Sequence, residues 1–323
     1  MAPRRLFLSC SLLGALANAA ITVAGGHLSV LLALRFATGF FLAGIYPVGM
    51  KIAASWYQRG LGNALGLLVG ALVLGTAFPH LLGAGGGQWP WRTVLLSVST
   101  LAAAGGIALY LLVPTGPYLS ARTSFDPRAL GRIFRKPDFR AAAFGYFGHM
   151  WELYAFWAFL PVLLTAHVGR HCGVELDISL WSFLIIGVGA VGCSVGGWIS
   201  ARRGSAPVAT VQIATSGLLC FFSPLLFLLP TPLFLLVLLG WGTVVVGDSP
   251  QFSALNASTA PRHLVGTALT IATCVGFLLT IPSIQLLGWL TAQVGPQFSF
   301  LALAPGPALG LVALYRLRIH VQS

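Results

Sequence analysis

Charge in this chain is confined to the gaps between long, unbroken apolar runs, and that pattern decides the solvent in which it folds. Of 323 residues, 57% are hydrophobic and 7% are charged, against about 25% charged in a soluble globular domain. So few charges cannot cover a water-facing surface, and a mean hydropathy of +0.89 points to lipid. A membrane barrel would alternate polar and apolar residues in short segments; these runs are continuous, so helices are the expected spanning element. A crossing needs about 20 apolar residues. Ten spans are read, near 6–24, 28–50, 62–83, 92–113, 141–164, 178–200, 207–229, 232–255, 264–289 and 296–315. Breakers sit at the joints: Gly25-Gly26, Gly85-Gly86-Gly87-Gln88-Trp89-Pro90 and Pro230-Thr231-Pro232.

The net charge of +12 raises the question of nucleic acid, and the placement of the charges answers it. The basic residues form no single face but fall in the gaps, as membrane topology requires. With a cytoplasmic N-terminus, all 18 Lys and Arg except Arg35, Arg92 and Arg170 lie on the inner side. Arg92 and Arg170 lie outside and Arg35 lies within a span. An integral multi-pass protein of a bacterial inner membrane or a similar bilayer is expected, with both termini cytoplasmic. The longest polar stretch, 114–140, reads as a basic linker. In it Asp126-Pro127 would start a short interfacial helix, with Leu130, Ile133 and Phe134 on one face. Four of the cysteines, Cys10, Cys193, Cys220 and Cys274, lie in apolar runs and read as small core residues. Cys172 lies in a polar gap, so no disulfide is expected. Arg4-Arg5, the run Leu6 to Leu16 and Ala17-Asn18-Ala19 resemble a cleavable secretory signal. An ordinary first span is the preferred reading.

That preference comes from an internal repeat. Gly44, Pro47 and Ala54-Ser55 recur 203 residues later as Gly247, Pro250 and Ala257-Ser258. At the same offset Gly39 meets Gly242, Arg59 meets Arg262, and Pro79 meets Pro282. Arg4-Arg5 precedes a span as Arg202-Arg203 does. Parallel repeats around a basic linker are a transporter architecture. The second copy has two spans before its Arg-Arg pair and the first has none. The expectation is therefore a four-plus-six chain whose first two helices are missing: an incomplete N-terminal bundle over 1–113, the linker over 114–140 and a six-helix bundle over 141–323.

The layout resembles the major facilitator superfamily over essentially the whole chain. Gly197-Trp198-Ile199-Ser200-Ala201-Arg202-Arg203-Gly204 is similar to that family's loop motif between the second and third helices of a half, where gating contacts lie. Arg35-Phe36-Ala37-Thr38-Gly39 resembles its Arg-x-x-x-Gly signature. The resemblance implies an all-α, two-bundle fold with ten transmembrane helices and a central cavity lined here by 28–50, 141–164 and 232–255. The Gly-Pro motif of drug–proton antiporters is absent from 61–83, and 178–200 has no arginine before Arg202, as a nitrate-type porter would.

Intramembrane acids are costly and tend to face a cavity or a partner. Of six acids only Glu152 and Asp248 fall within spans. His149 and Glu152, three apart, share a helix face and could relay a proton; the alternative is a packed polar pair. Trp151, Tyr154 and Trp157 either line the site or pack. Asp248 precedes Ser249-Pro250, where proline frees a carbonyl and Gln251 could line the opening; a salt bridge away from substrate is the preferred reading. Arg35 either handles substrate or protons or snorkels, and Tyr46 is a candidate liner. Gly62, Gly66 and Gly70, with Gly189, Gly192 and Gly196, read as packing surfaces.

The expected function is a secondary transporter moving a small solute by alternating access, with protons as a possible coupling ion. It should act as a monomer in the bilayer, with no cofactor, metal or nucleic acid. A non-transporting remnant of such a permease is the alternative. A membrane-embedded enzyme ranks last, since neither a Walker loop nor a hydrolase or metal constellation is present.

Overall fold

The computed structural model describes residues 2–57, 61–84, 89–118, 129–171, 173–261 and 264–322. Arg59, Arg122, Asp126-Pro127, Arg128, Cys172, Arg262 and Gly85 to Gln88 lie outside them. The described chain is helical without strands. In order it forms α1 (Pro3–Ala20), α2 (Leu28–Leu42), α3 (Tyr46–Ala54), α4 (Leu61–Gly83), α5 (Trp91–Leu112), α6 (Ala129–Arg135), α7 (Pro137–Arg170) and α8 (Ile178–Gly187). There follow α9 (Gly189–Arg203), α10 (Ser205–Phe221), α11 (Ser223–Leu226), α12 (Thr231–Gly247), α13 (Ser249–Thr259), α14 (Val265–Val294), α15 (Pro296–Ser299) and α16 (Pro305–Gln322).

Nine stretches among the described residues are long and apolar enough to cross a membrane, some built from two helices in line, such as Leu28–Ala54 and Thr231–Thr259. The run expected near 207–229 is shorter. Its helix, Ser205–Phe221, has 17 residues, about 25 Å at 1.5 Å each. A new helical turn follows with Pro224 near its start, because proline cannot donate the hydrogen bond that would continue the helix. Large apolar side chains such as Phe36, Leu67, Leu111, Leu228, Leu278 and Trp289 are exposed. Water would penalise that surface, and hydrocarbon does not.

The chain divides into two compact units, Met1–Arg59 with Gly86–Arg122, and Gly60–Gly85 with Thr123–Ser323. In the first, α1 is the hub, packed against α5, α2 and α3. Polar contacts fix its register on α5: Arg4 reaches the Tyr110 carbonyl and Asn18 Nδ2 donates to Ser99 Oγ at 3.0 Å.

In the second unit the hub is α7, which carries α16, α14 and α13 along its length. Phe139, Phe156, Leu160, Leu163 and Leu164 are wholly buried on it. Helix α6 docks the fully buried Ile133 into the same core. A helix spans Ala129–Arg135 within the linker segment; the expected helix start at Asp126-Pro127 lies outside the described residues. Helix α9 stops at Gly204, whose φ of +81° and ψ of 160° suit glycine alone. Cys193 and Cys220 are buried as expected and Cys10 is half-buried, whereas Cys274 is exposed on an outer face of α14 and is not a core residue.

Helices α4, α9 and α12 approach closely through glycine. A Cβ built on Gly66 of α4 would stand 2.6 Å from the Cys193 carbonyl oxygen of α9, and backbone cannot yield as a side-chain tip can. The glycine surfaces read from sequence thus pack helices at backbone distance. The substitution Gly66→Val should destabilise the fold by about 1–3 kcal/mol through overpacking. Gly75→Val on the same helix, where nothing lies within 4 Å, should change little. Thermal unfolding of the two purified variants in detergent checks the difference; equal melting would contradict the packing assignment.

Candidate functional site

The helix break at Asp248 builds the site. Pro250 has no N–H, so the Val246 carbonyl loses its normal helical partner. Cys193 Sγ of α9 takes up that carbonyl at 3.4 Å. The chain turns at Asp248 (φ −80°, ψ −19°) and restarts as α13, with Pro250 in its first turn. The earlier repeat copy does the same: α2 ends at Leu42, α3 starts at Tyr46, and Pro47 stands in its first turn.

The restart turns the Asp248 carboxylate toward α7. His149 Nδ1 and Asp248 Oδ1 stand 2.8 Å apart, both side chains wholly buried. They are at ion-pair distance, but the angle falls outside hydrogen-bond geometry. The imidazole lies between the rings of Tyr146 and Phe252, with centroids 5.9 and 5.8 Å away. One turn along α7, Glu152 is also wholly buried. Donor atoms of His149, Glu152 and Asp248 all lie within 4.8 Å of one another.

Glu152 is held from α10 and α12. Trp241 Nε1 donates to Ser216 Oγ at 3.0 Å, so the Ser216 hydroxyl proton is free to donate to Glu152 Oε2, also at 3.0 Å. Cys220 Sγ lies 3.4 Å from the same oxygen and donates to it. Glu152 Oε1, both Asp248 oxygens and His149 Nε2 have no hydrogen-bond partner among the described residues. The result is two carboxyls and an imidazole in a buried interior, one carboxyl oxygen saturated with donors and the others open among the described residues. Such a set can take up, share and release protons. Its donor types and spacing would also admit a metal ion.

The other sequence candidates scatter. Gln251 lies one turn beyond Asp248, wholly buried, with neither amide atom bonded among the described residues; its Oε1 lies beside Gly62 of α4. Trp151 points away from the cluster, donating to the Ala302 carbonyl at 3.1 Å and packing on Gly306. Tyr154 packs between Trp157 and Phe277, with centroids 5.2 and 5.4 Å away. Trp157 is buried, its Nε1 without a hydrogen-bond partner among the described residues. Arg35 and Tyr46 belong to the first unit. Arg35 is exposed and reaches Asn18 Oδ1 at 3.3 Å, and Tyr46 is half-buried at the start of α3. Gly197 brings α9 onto α4 at Gly62. Arg202 lies over the Trp198 ring at 4.3 Å, with Arg203 exposed beside the Gly204 stop.

Sequence reasoning missed Ser216, Cys220 and Trp241. The signal was there as Ser216-x-x-x-Cys220, a hydroxyl and a thiol one turn apart, on a helix that also carries Thr210, Gln212 and Thr215. It missed Asn18 and Ser99 as partners near Arg35 too. It also passed over His167, wholly buried, stacked on Phe234 at 3.8 Å and 3.2 Å from Thr231 Oγ1.

The fold is shared with solved transporters. The Escherichia coli fucose:proton symporter aligns over 98% of this chain and 84% of its own, with a TM-score of 0.69 at 14% identity. A structure of FucP in the outward conformation gives 0.70 at 15% identity, covering 98% and 83%. The human organic anion transporter MFSD10 gives 0.71 at 17% identity, covering 98% and 77%. At such identities the likeness shows the fold alone. No curated protein matches the sequence significantly. Residues 1–284 match the sequence profile of the Major Facilitator Superfamily. With its helical membrane fold, that match places the chain in the Major Facilitator Superfamily of membrane transporters.

Proposed function

We propose that the chain is a proton-coupled secondary transporter, carrying a small solute by alternating access of an N-terminal bundle over 1–113 and a six-helix bundle over 141–323. The basic segment 114–140 joins them on the cytoplasmic side. The observation that carries the proton reading is the burial of His149, Glu152 and Asp248 within 4.8 Å of one another.

The argument is one of charge. An isolated ion in hydrocarbon costs several kcal/mol, so the cluster is stable only when its charges cancel. Two acids and a neutral imidazole carry two negative charges. Two protons cancel them: one on the imidazole, making His149⁺ the partner of Asp248⁻, and one on Glu152. Because Oε2 already accepts from Ser216 and Cys220, the proton on Glu152 belongs on Oε1. Loss of that proton leaves a net buried charge. The uncompensated charge favours whatever conformation admits water to the cluster, which is the thermodynamic content of coupling. Among proteins of the same fold, one is named as a fucose:proton symporter; that supports the plausibility of coupling here and says nothing of the solute.

Within this reading Gln251 and Tyr46 are candidate solute contacts and Arg35 a candidate solute or proton contact. Gly197, Arg202, Arg203 and Gly204 form the loop that gates between states. A monomer is the working unit, and no cofactor or nucleic acid takes part.

Two experiments test it. In proteoliposomes containing entrapped pyranine, monosaccharides and small organic anions are offered in turn. At least one should drive solute-dependent proton entry in the wild type. Glu152→Gln should abolish that proton entry and gradient-driven uptake while sparing solute counterflow. Uptake without proton entry, or unchanged driven uptake in the variant, would reject coupling. Separately, single cysteines near Arg132 and near Arg170 should label from opposite faces of the membrane, the first only from inside. Labelling from one face would reject the topology.

A further inference from the structure

A cavity of the second unit opens away from the acid–imidazole cluster, on the outer face of α7. Helices α14 and α16 both pack along α7 but hardly touch each other. They are tied together only at one end, by α15. Between them a groove of about 960 Å³ opens outward, floored by α7 from Pro137 to Trp151. At 1.5 Å per residue that floor is about 21 Å long, somewhat more than the ~15 Å depth of one leaflet's hydrocarbon.

The groove is apolar along its length and charged at one end. Phe144, Phe147 and Trp151 face it from α7, Leu309 and Val312 from α16, and Phe144, Leu309 and Val312 are half or more exposed. At the end near α6 stand Arg140 and Arg316, both exposed, with one acid, Asp138. Arg135 and Lys136, exposed at the junction of α6 and α7, add to the positive side. An apolar trough one leaflet deep, ending in cations, is complementary to a molecule with an acyl chain and an anionic head.

We propose that this groove seats an anionic phospholipid, with one acyl chain along Phe144, Phe147 and Trp151 and its phosphate against Arg140 and Arg316. The excess of cations over the single Asp138 favours a net anionic head over a zwitterionic one. A bound chain fills the wedge that α14 and α16 leave open and ties both to α7, the helix that carries His149 and Glu152. The proposal requires only that the chain lies in a bilayer, and stands or falls apart from proton coupling.

The test uses the purified full-length protein in detergent, titrated with palmitoyl-oleoyl phosphatidylglycerol or the matching phosphatidylcholine and read by native mass spectrometry. The wild type should hold one phosphatidylglycerol at least about tenfold more tightly than phosphatidylcholine, because cations near the membrane surface favour a net anionic head. Arg140→Gln with Arg316→Gln should erase that preference, and Arg140→Lys with Arg316→Lys should keep it. Leu309→Trp, which fills the trough, should weaken both lipids. Phosphatidylglycerol brominated in its acyl chain should quench Trp151, seen as less quenching in Trp151→Phe than in the wild type. That measurement needs no charge variant to fold. Equal affinity for the two lipids in the wild type, a preference that survives the double glutamine variant, or identical quenching with and without Trp151 would overturn the proposal.

Discussion

The contact between His149 on α7 and Asp248 at the head of α13 is the interaction on which the second unit depends. It brings charge into a layer where charge is expensive, and it does so at a point where a spanning stretch is broken. Pro250 makes the break, Cys193 caps the carbonyl that the break frees, and Phe252, one turn later, closes the imidazole from one side. Remove the break and Asp248 would follow an uninterrupted helix with no reason to meet α7. Remove one partner and the other is left buried without its counter-charge, at a cost of about 3–5 kcal/mol.

Close helix packing makes that geometry possible. Backbone-to-backbone approach of α4, α9 and α12 needs glycine at the crossings, and α7 meets α16 in the same way at Gly148 and Gly306. In lipid no hydrophobic force presses helices together, so dispersion and interhelical hydrogen bonds must do it. The bonds from Trp241 through Ser216 to Glu152 serve that purpose and also orient the acid. Packing and chemistry are here the same set of contacts, so a change in the protonation of Glu152 is felt by α7, α10 and α12 together.

Much of this was legible in the sequence for simple physical reasons. Lipid demands about 20 apolar residues per crossing, so spans announce themselves; all but the short Ser205–Phe221 appear as long apolar helical stretches, some built from helices in line. The repeat offset placed a proline in each half, and the structure breaks a spanning stretch just before each. Scarcity singled out Glu152 and Asp248, since only six acids exist. What could not be read was who meets whom. His149 and Asp248 are remote in sequence, and their contact depends on how α7 and α13 pack together, which no local pattern reports. Ser216 and Cys220 were overlooked because serine and cysteine commonly bond their own helix, as Ser194 does. Trp151 was grouped with Glu152 by adjacency, yet neighbours on a helix point about 100° apart. It therefore serves the outer groove and not the cluster.

The central claim is that protons, shared among His149, Glu152 and Asp248, neutralise a site buried in the membrane. Infrared difference spectroscopy of the reconstituted protein measures this directly through the carbonyl stretch of a protonated carboxyl. At neutral pH the account predicts one such band that is absent from Glu152→Gln and remains in Asp248→Asn. Spectra showing both acids ionised, with no protonated carboxyl lost on substituting Glu152, would contradict it.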